Sequence, residues 1–116
     1  MQLESEVRDG VFVLRLKGRF VTGSDAELLS AQNYLQKNGI SKAIIDFRAV
    51  PYIDSTGLAF VVELHKSLAG RGGQLMLANA NERVREVLEM TRINKIIPMF
   101  DHVNEAEAAF RSEVLC

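Results

Sequence analysis

The sequence has very little cysteine and no excess of charge of either sign. Its single cysteine, Cys116, is the last of 116 residues, so it cannot form an internal disulfide and a secreted disulfide scaffold is not expected. The four-residue C-terminal box needed for prenylation is also missing. Lys and Arg number 14 against 15 Asp and Glu, and the two signs are interspersed. Nucleic-acid binders usually carry a basic excess, so we expect no nucleic-acid partner.

Long apolar runs are also missing. No apolar stretch approaches the roughly 20 residues needed to cross a bilayer, and residues 1–6 have neither the basic start nor the apolar core of a signal peptide. We therefore expect a cytoplasmic protein that does not insert into membranes. With 47% hydrophobic and 25% charged residues, the chain has the composition of a folded globular protein. Its length predicts one domain over residues 1–116.

Motifs for catalysis, metal binding and cofactor binding are absent from the sequence. His65 and His102 have no Cys or carboxylate at metal-ligand spacing, and His65 is expected to be a hydrogen-bonded core residue. There is no phosphate loop and no Gly-x-Ser-x-Gly elbow. Asp46 and Asp54 lie near one loop, but nothing supplies a base for Ser55. We expect no catalytic residues, no metal and no cofactor.

Hydrophobic periodicity predicts the element order β-β-α-β-α-β-α-β-α. Asp9-Gly10 is a strong tight-hairpin signal between the first two strands. A hairpin followed by alternating strands and helices predicts an α/β fold, in which helices pack on a mixed sheet with parallel later strands. The predicted strands are 2–7, 11–16, 42–47, 74–78 and 96–97, and the first two predicted helices are 24–39 and one from 54–57 to 70.

Capping-box spacing predicts where the helices begin. The pairs are Ser24 with Glu27, Asn79 with Glu82 and Asn104 with Glu107, and Asn81 is an alternative cap for the third helix.

The most informative stretch is residues 52–58, between the third predicted strand and the second predicted helix. Asp54, Ser55 and Thr56 are residue types that accept hydrogen bonds from the free N–H groups at a helix start. Two hydroxyls are therefore expected at the positive end of a helix, beyond the carboxyl end of a parallel strand. Such a place can carry or bind a phosphate. From the residues alone, a simple helix cap is the favoured interpretation.

Residues 46–58 resemble the central motif of STAS domains, a family named for sulphate transporters and anti-sigma factor antagonists. The family pattern is an apolar strand ending in Asp, a short loop, and Asp-Ser-(Ser or Thr)-Gly-Leu at a helix start, and the element order is similar over essentially the whole chain. The resemblance implies that Ser55, or failing that Thr56, is phosphorylated by a kinase that is also an anti-sigma factor. A phosphatase reverses the modification, and the unphosphorylated protein binds the kinase and releases its client. The implied partner-binding residues are Tyr52, Asp54, Ser55, Thr56 and Gly57.

One residue departs from the family pattern. After the second strand the family often has Gly-x-Leu-Asp, whereas residues 18–22 place Val21 where the acid is usual. This departure bears on the partner contacts and leaves the Ser55 motif intact. Two other functions remain open: an accessory subunit of an ABC-type lipid transport complex, and an enzyme or direct nucleotide binder. The sequence does not determine the oligomeric state, and a monomer between partners is the default expectation.

Overall fold

A computed structural model of the chain describes residues 2–18 and 25–115. Within these residues, five strands and four α-helices form an α/β domain with one mixed sheet, which confirms the predicted fold class. The strands are β1 (Gln2–Arg8), β2 (Val11–Lys17), β3 (Lys42–Ala49), β4 (Gln74–Ala78) and β5 (Met99–Phe100). The helices are α1 (Asp25–Lys37), α2 (Ser55–Ala69), α3 (Glu82–Met90) and α4 (Val103–Leu115). Val21, Cys116 and the predicted cap Ser24 lie outside the described residues.

The sheet has the strand order β1-β2-β3-β4-β5. β1 and β2 form the predicted antiparallel hairpin, and Asp9 and Gly10 in its turn adopt positive φ angles of 51° and 80°. Such angles belong to the tight turn whose twist matches that of the flanking strands. The remaining neighbours pair in parallel, so β2, β3, β4 and β5 all end at the same edge of the sheet.

Helices cover both faces of this sheet. Successive side chains of a strand point to opposite faces, and β2 shows the division. Phe12, Leu14 and Leu16 pack in one core with residues of α1, α2 and α3. Val11 and Val13 pack in a second core with Val103, Ala106 and Phe110 of α4. The loop that joins β3 to α2 therefore crosses from the edge of the sheet to the three-helix face.

The predicted strand at 96–97 is wrong. Ile93–Lys95 forms a 3₁₀ helix, and the Ile97 N–H donates to the carbonyl of Ile93 at 2.8 Å. Pairing with β4 begins only at Pro98, whose carbonyl accepts from the Leu77 N–H. Ile96 is exposed and Ile97 is buried. Such alternation is typical of a strand, but two residues are too few to distinguish a strand from a helical turn.

The structure selects one of the two alternative caps for α3 and corrects the predicted cap of α4. Asn81, and not Asn79, caps α3, since its side chain accepts from the Val84 N–H at 2.9 Å. Asn104 lies inside the first turn of α4. The capping acid there is Glu105, whose Oε1 accepts from the His102 N–H at 3.1 Å. Other predicted boundaries differ from the structure by one or two residues.

Candidate functional site

The first turn of α2 is capped by Asp54. Asp54 has an extended backbone, and its carboxylate accepts from the Gly57 N–H at 3.0 Å. Its carbonyl accepts the first helical hydrogen bond, from the Leu58 N–H, at 2.9 Å. Asp54 is the N-cap, and Ser55 is the first residue of the helix. The Ser55 side chain is therefore not needed to cap the helix.

The predicted partner-binding residues differ in how much surface they present. Ser55 is exposed, and its side chain makes no hydrogen bond with any described residue. Tyr52, Asp54 and Thr56 are half-buried, and Gly57 is buried. Four of the five residues can therefore be reached from solvent, while Gly57 supplies the N–H group that Asp54 caps.

Two apolar residues flank the start of α2 and pack in the same core. Ile53, immediately before the cap, is buried in the three-helix core. Leu58, four residues into the helix, packs against the same core. A pair of apolar residues at these two positions forms a hydrophobic staple. Ile53 and Leu58 thereby hold Ser55 on the outside of the turn.

Asn81 ties the loop to the neighbouring helix. Its Nδ2 donates to the carbonyls of Val50 at 3.3 Å and Pro51 at 3.1 Å, while its Oδ1 caps α3. One amide group thus satisfies two loop carbonyls and one helix N–H. The start of α3 and the loop before Ser55 are consequently held together.

Asp46, in β3, stabilises the strand ends next to the loop. It is the one buried charged residue recorded in the described parts of the chain, with 5% of its surface exposed. Its Oδ1 accepts from the Arg48 backbone N–H at 2.9 Å and from Asn79 Nδ2 at 3.0 Å, and its Oδ2 lies 3.5 Å from Nε of Arg15. A buried carboxylate is stable only when it is paired and hydrogen-bonded in this way. Asp46 joins three neighbouring strand ends and is not available as a base.

No set of three or more His, Cys, Asp and Glu residues that could hold a metal ion occurs in residues 2–18 and 25–115. Among the same residues, no helix is long and apolar enough to span a membrane. His65 is half-buried, and its Nδ1 has no hydrogen-bond partner among the described residues, which differs from the expectation of a hydrogen-bonded core residue. The loop presents an exposed hydroxyl, that of Ser55, at a helix start.

Sequence reasoning missed the supporting roles of Asn79 and Asn81. Spacing along the sequence predicts both residues only as helix caps, because capping is a local pattern. Their amide donors reach residues about thirty positions earlier in the chain. The one available signal was that two asparagines follow a predicted parallel strand, where polar side chains of neighbouring strands meet.

The STAS domain model matches residues 2–106 of the chain. A protein named as a candidate anti-sigma factor antagonist, BtrV of Bordetella bronchiseptica, is 32% identical over 113 residues, which cover 97% of each chain. The anti-sigma F factor antagonist of Paenibacillus polymyxa is 27% identical over 116 residues, covering 99% of this chain and 97% of the relative.

Solved structures show the same fold. An anti-sigma factor antagonist from Mycobacterium paratuberculosis superposes with a TM-score of 0.83 at 22% identity, covering 95% of this chain and 93% of the other. The Bacillus cell fate determinant SpoIIAA in its phosphorylated form superposes with a TM-score of 0.73 at 22% identity, covering 96% and 99%. At this level of identity the structural likeness establishes the fold alone.

Proposed function

The chain belongs to the STAS domain family, and on that basis we propose that it is an anti-sigma factor antagonist controlled by phosphorylation of Ser55. In the proposed cycle, the unphosphorylated protein binds an anti-sigma factor that is also a serine kinase, and that factor releases its client. Phosphorylation of Ser55 ends the binding, and a phosphatase restores it. Two features of the relatives support the proposal: their names as antagonists, and the phosphorylated form of SpoIIAA.

The observation that carries the proposal is that Asp54 and Ser55 have separate roles at the start of α2. Asp54 makes the capping bond to Gly57, while the exposed Ser55 hydroxyl makes no hydrogen bond with the described residues. A kinase can therefore use the hydroxyl without breaking the cap. Thr56 is half-buried and is the less accessible alternative.

Phosphorylation at this position should leave the fold intact. It adds a charge of roughly −1.5 to −2 at pH 7. The positive end of the α2 dipole favours that charge, while the neighbouring Asp54 carboxylate makes the local surface more negative still. In the proposed switch, phosphorylation therefore changes whether a partner can pack on this surface and does not unfold the domain.

The surface that a partner would cover extends beyond the loop. Next to Ser55, the outer side of α2 exposes Ala59 and Glu63. Gln32 of α1 reaches the carbonyl of Glu63 at 3.5 Å, so α1 flanks this part of α2. Leu29, one turn earlier in α1, is 58% exposed. A partner that packs on this mixed surface must also desolvate Ser55, and a phosphate there would oppose such packing.

The experiment measures how the anti-sigma kinase encoded in the same genome phosphorylates and binds four proteins. These are the wild type, Ser55→Ala, Ser55→Asp and the matched control Thr56→Val. We expect the kinase to modify the wild type and Thr56→Val but not Ser55→Ala. Binding should be kept in Ser55→Ala and weakened about 100-fold or more in Ser55→Asp, since each 1.4 kcal/mol of lost binding is tenfold in affinity. Thermal melting should show that Ser55→Asp is folded.

Two results would contradict the proposal: undiminished affinity of a folded Ser55→Asp, or phosphorylation of Ser55→Ala at the wild-type rate. Stable co-purification with an ABC transporter ATPase, with Ser55 unmodified, would favour the transport-subunit alternative. We further propose that residues 1–116 act as one domain, a cytoplasmic monomer without catalytic activity.

A further inference from the structure

A polar cleft of about 490 Å³ lies on the α4 face of the sheet, beside the first turn of α4. Its walls include the side chains of Arg8, Arg15, Arg48, Asp46 and Asn79. Arg15 and Asp46 follow Val13 and Ile44 at the two-residue spacing that keeps side chains on one face of a strand, and those two apolar residues pack against α4. The cleft is therefore on the opposite face of the sheet from α2.

Two of the three arginines are held in place by carboxylates. Arg8 pairs with Glu6 at 2.7 Å and with Glu107 at 3.1 Å, and Arg15 pairs with Glu6 at 2.6 Å. The hydrogen bond from Arg15 keeps the pKa of Glu6 below its ordinary value, so this pairing carboxylate stays charged. Each guanidinium has five N–H donors, so donors remain for a ligand. These ion pairs orient Arg8 and Arg15 but also neutralise part of their positive charge.

Arg48 differs from the other two arginines. Its side chain is exposed and forms no ion pair with any residue in the described ranges. Asp46, the one carboxylate in the walls, is already occupied by the Arg48 backbone, Asn79 and Arg15. Three guanidinium groups therefore line the cleft with one carboxylate, and Glu6 and Glu107, which are not among its lining residues, pair with two of them. Arg48 supplies the guanidinium charge that no described carboxylate pairs. The backbone N–H groups of Val103 and Asn104, the first two residues of the 13-residue helix α4, add donors without intrahelical acceptors.

We propose that this cleft binds an oxyanion of the phosphate or sulfate class. Guanidinium groups match the oxygens of such anions in geometry and charge, and a helix N-terminus adds to the same preference. The volume falls in the range of about 300–1,000 Å³ found for small-molecule sites, so the cleft has room for a phosphate that carries an organic group. The proposal does not depend on phosphorylation of Ser55, which lies at the start of the helix on the other face.

The test is a titration of the isotope-labelled protein with inorganic phosphate, followed by amide NMR shifts. Sodium chloride at matched ionic strength is the reference. We expect saturable shifts at Arg48, Asn79, Val103 and Asn104, with a dissociation constant of about 1 mM or tighter. Arg48→Gln should weaken binding about tenfold, because hydrogen bonds to charged groups are the strong ones. Arg85→Gln makes the same change of charge outside the cleft and should alter binding less than twofold.

A second arm repeats the titration with glycerol 3-phosphate. Tighter binding than that of phosphate would assign the cleft to an organic phosphate, and equal binding would assign it to the free ion. The proposal is overturned if the shifts fail to saturate, if chloride reproduces them, or if Arg48→Gln binds as well as the wild type. Any of these results would show that the cleft is not a specific oxyanion site. Arg48 is exposed, so the variant should fold, and its melting curve verifies this.

Discussion

Removal of the Asn81 side chain should disturb the Ser55 loop although Asn81 itself lies outside that loop, at the start of α3. Its side chain caps α3 through one oxygen and holds the Val50 and Pro51 carbonyls through one nitrogen. Two substitutions separate these roles. Asn81→Ala removes both, whereas Asn81→Asp keeps the capping oxygen and loses the donor.

The magnitudes follow from the three bonds. Loss of an Asn cap costs about 1 kcal/mol. The two bonds to the loop, at 3.3 and 3.1 Å on a partly exposed residue, contribute together about 1 kcal/mol. Asn81→Ala should therefore lower the free energy of unfolding by about 2 kcal/mol, which corresponds to a fall in Tm of about 8 °C. Asn81→Asp should lose at least half as much, because the two bonds to the loop are lost and a carboxylate then faces two carbonyl oxygens.

Urea denaturation measures the two stabilities, and hydrogen exchange measures the loop. In both variants we expect faster amide exchange between Val50 and Gly57, with little change in β2 or α4. The reasoning is refuted if Asn81→Asp is as stable as the wild type, or if loop exchange is unchanged in Asn81→Ala. Either result would show that the contact between Asn81 and the loop does not restrain the site.

Three smaller changes test other local features. Asp54→Ala should cost about 1 kcal/mol in urea denaturation, whereas Asp54→Asn, which keeps an acceptor, should stay close to the wild type. Arg92 has a φ of 63° where glycine is favoured, so Arg92→Gly should raise stability by about 1 kcal/mol in the same assay; an unchanged or lower value would contradict this. The hydrogen bond from Arg85 lowers the pKa of Asp101, so Arg85→Gln should raise that pKa towards its ordinary value in an NMR titration.

Local chemistry was enough to predict the elements that depend on it. The Asp9-Gly10 turn requires two positive φ angles, and few residue pairs supply them. The start of α2 is specified by Asp54, whose capping bond spans only three residues. Periodicity predicts the order of the strands and helices, because burial repeats along each element.

The hydrogen bonds that hold the Ser55 loop and its neighbouring strands in place could not be predicted from local chemistry. Asp46 and Asn79 are 33 positions apart, and Asn81 reaches back 30 positions to Pro51. These contacts exist because parallel strands end at a common edge, and no spacing rule says which polar residues meet there. The error at 96–97 has a different cause, since two residues cannot show whether a period is that of a strand or of a turn.

The central claim is that Ser55 carries a reversible phosphate. Trypsin should cut after Arg48 and after Lys66, and peptide 49–66 contains only three hydroxyl residues: Tyr52, Ser55 and Thr56. The measurement is mass spectrometry of this peptide from the protein's own cells, in growth and under stress, with phosphatases blocked. We predict phosphate on Ser55 in an amount that changes with conditions. Phosphate on Thr56 alone, or an unmodified peptide in every condition, would contradict the claim.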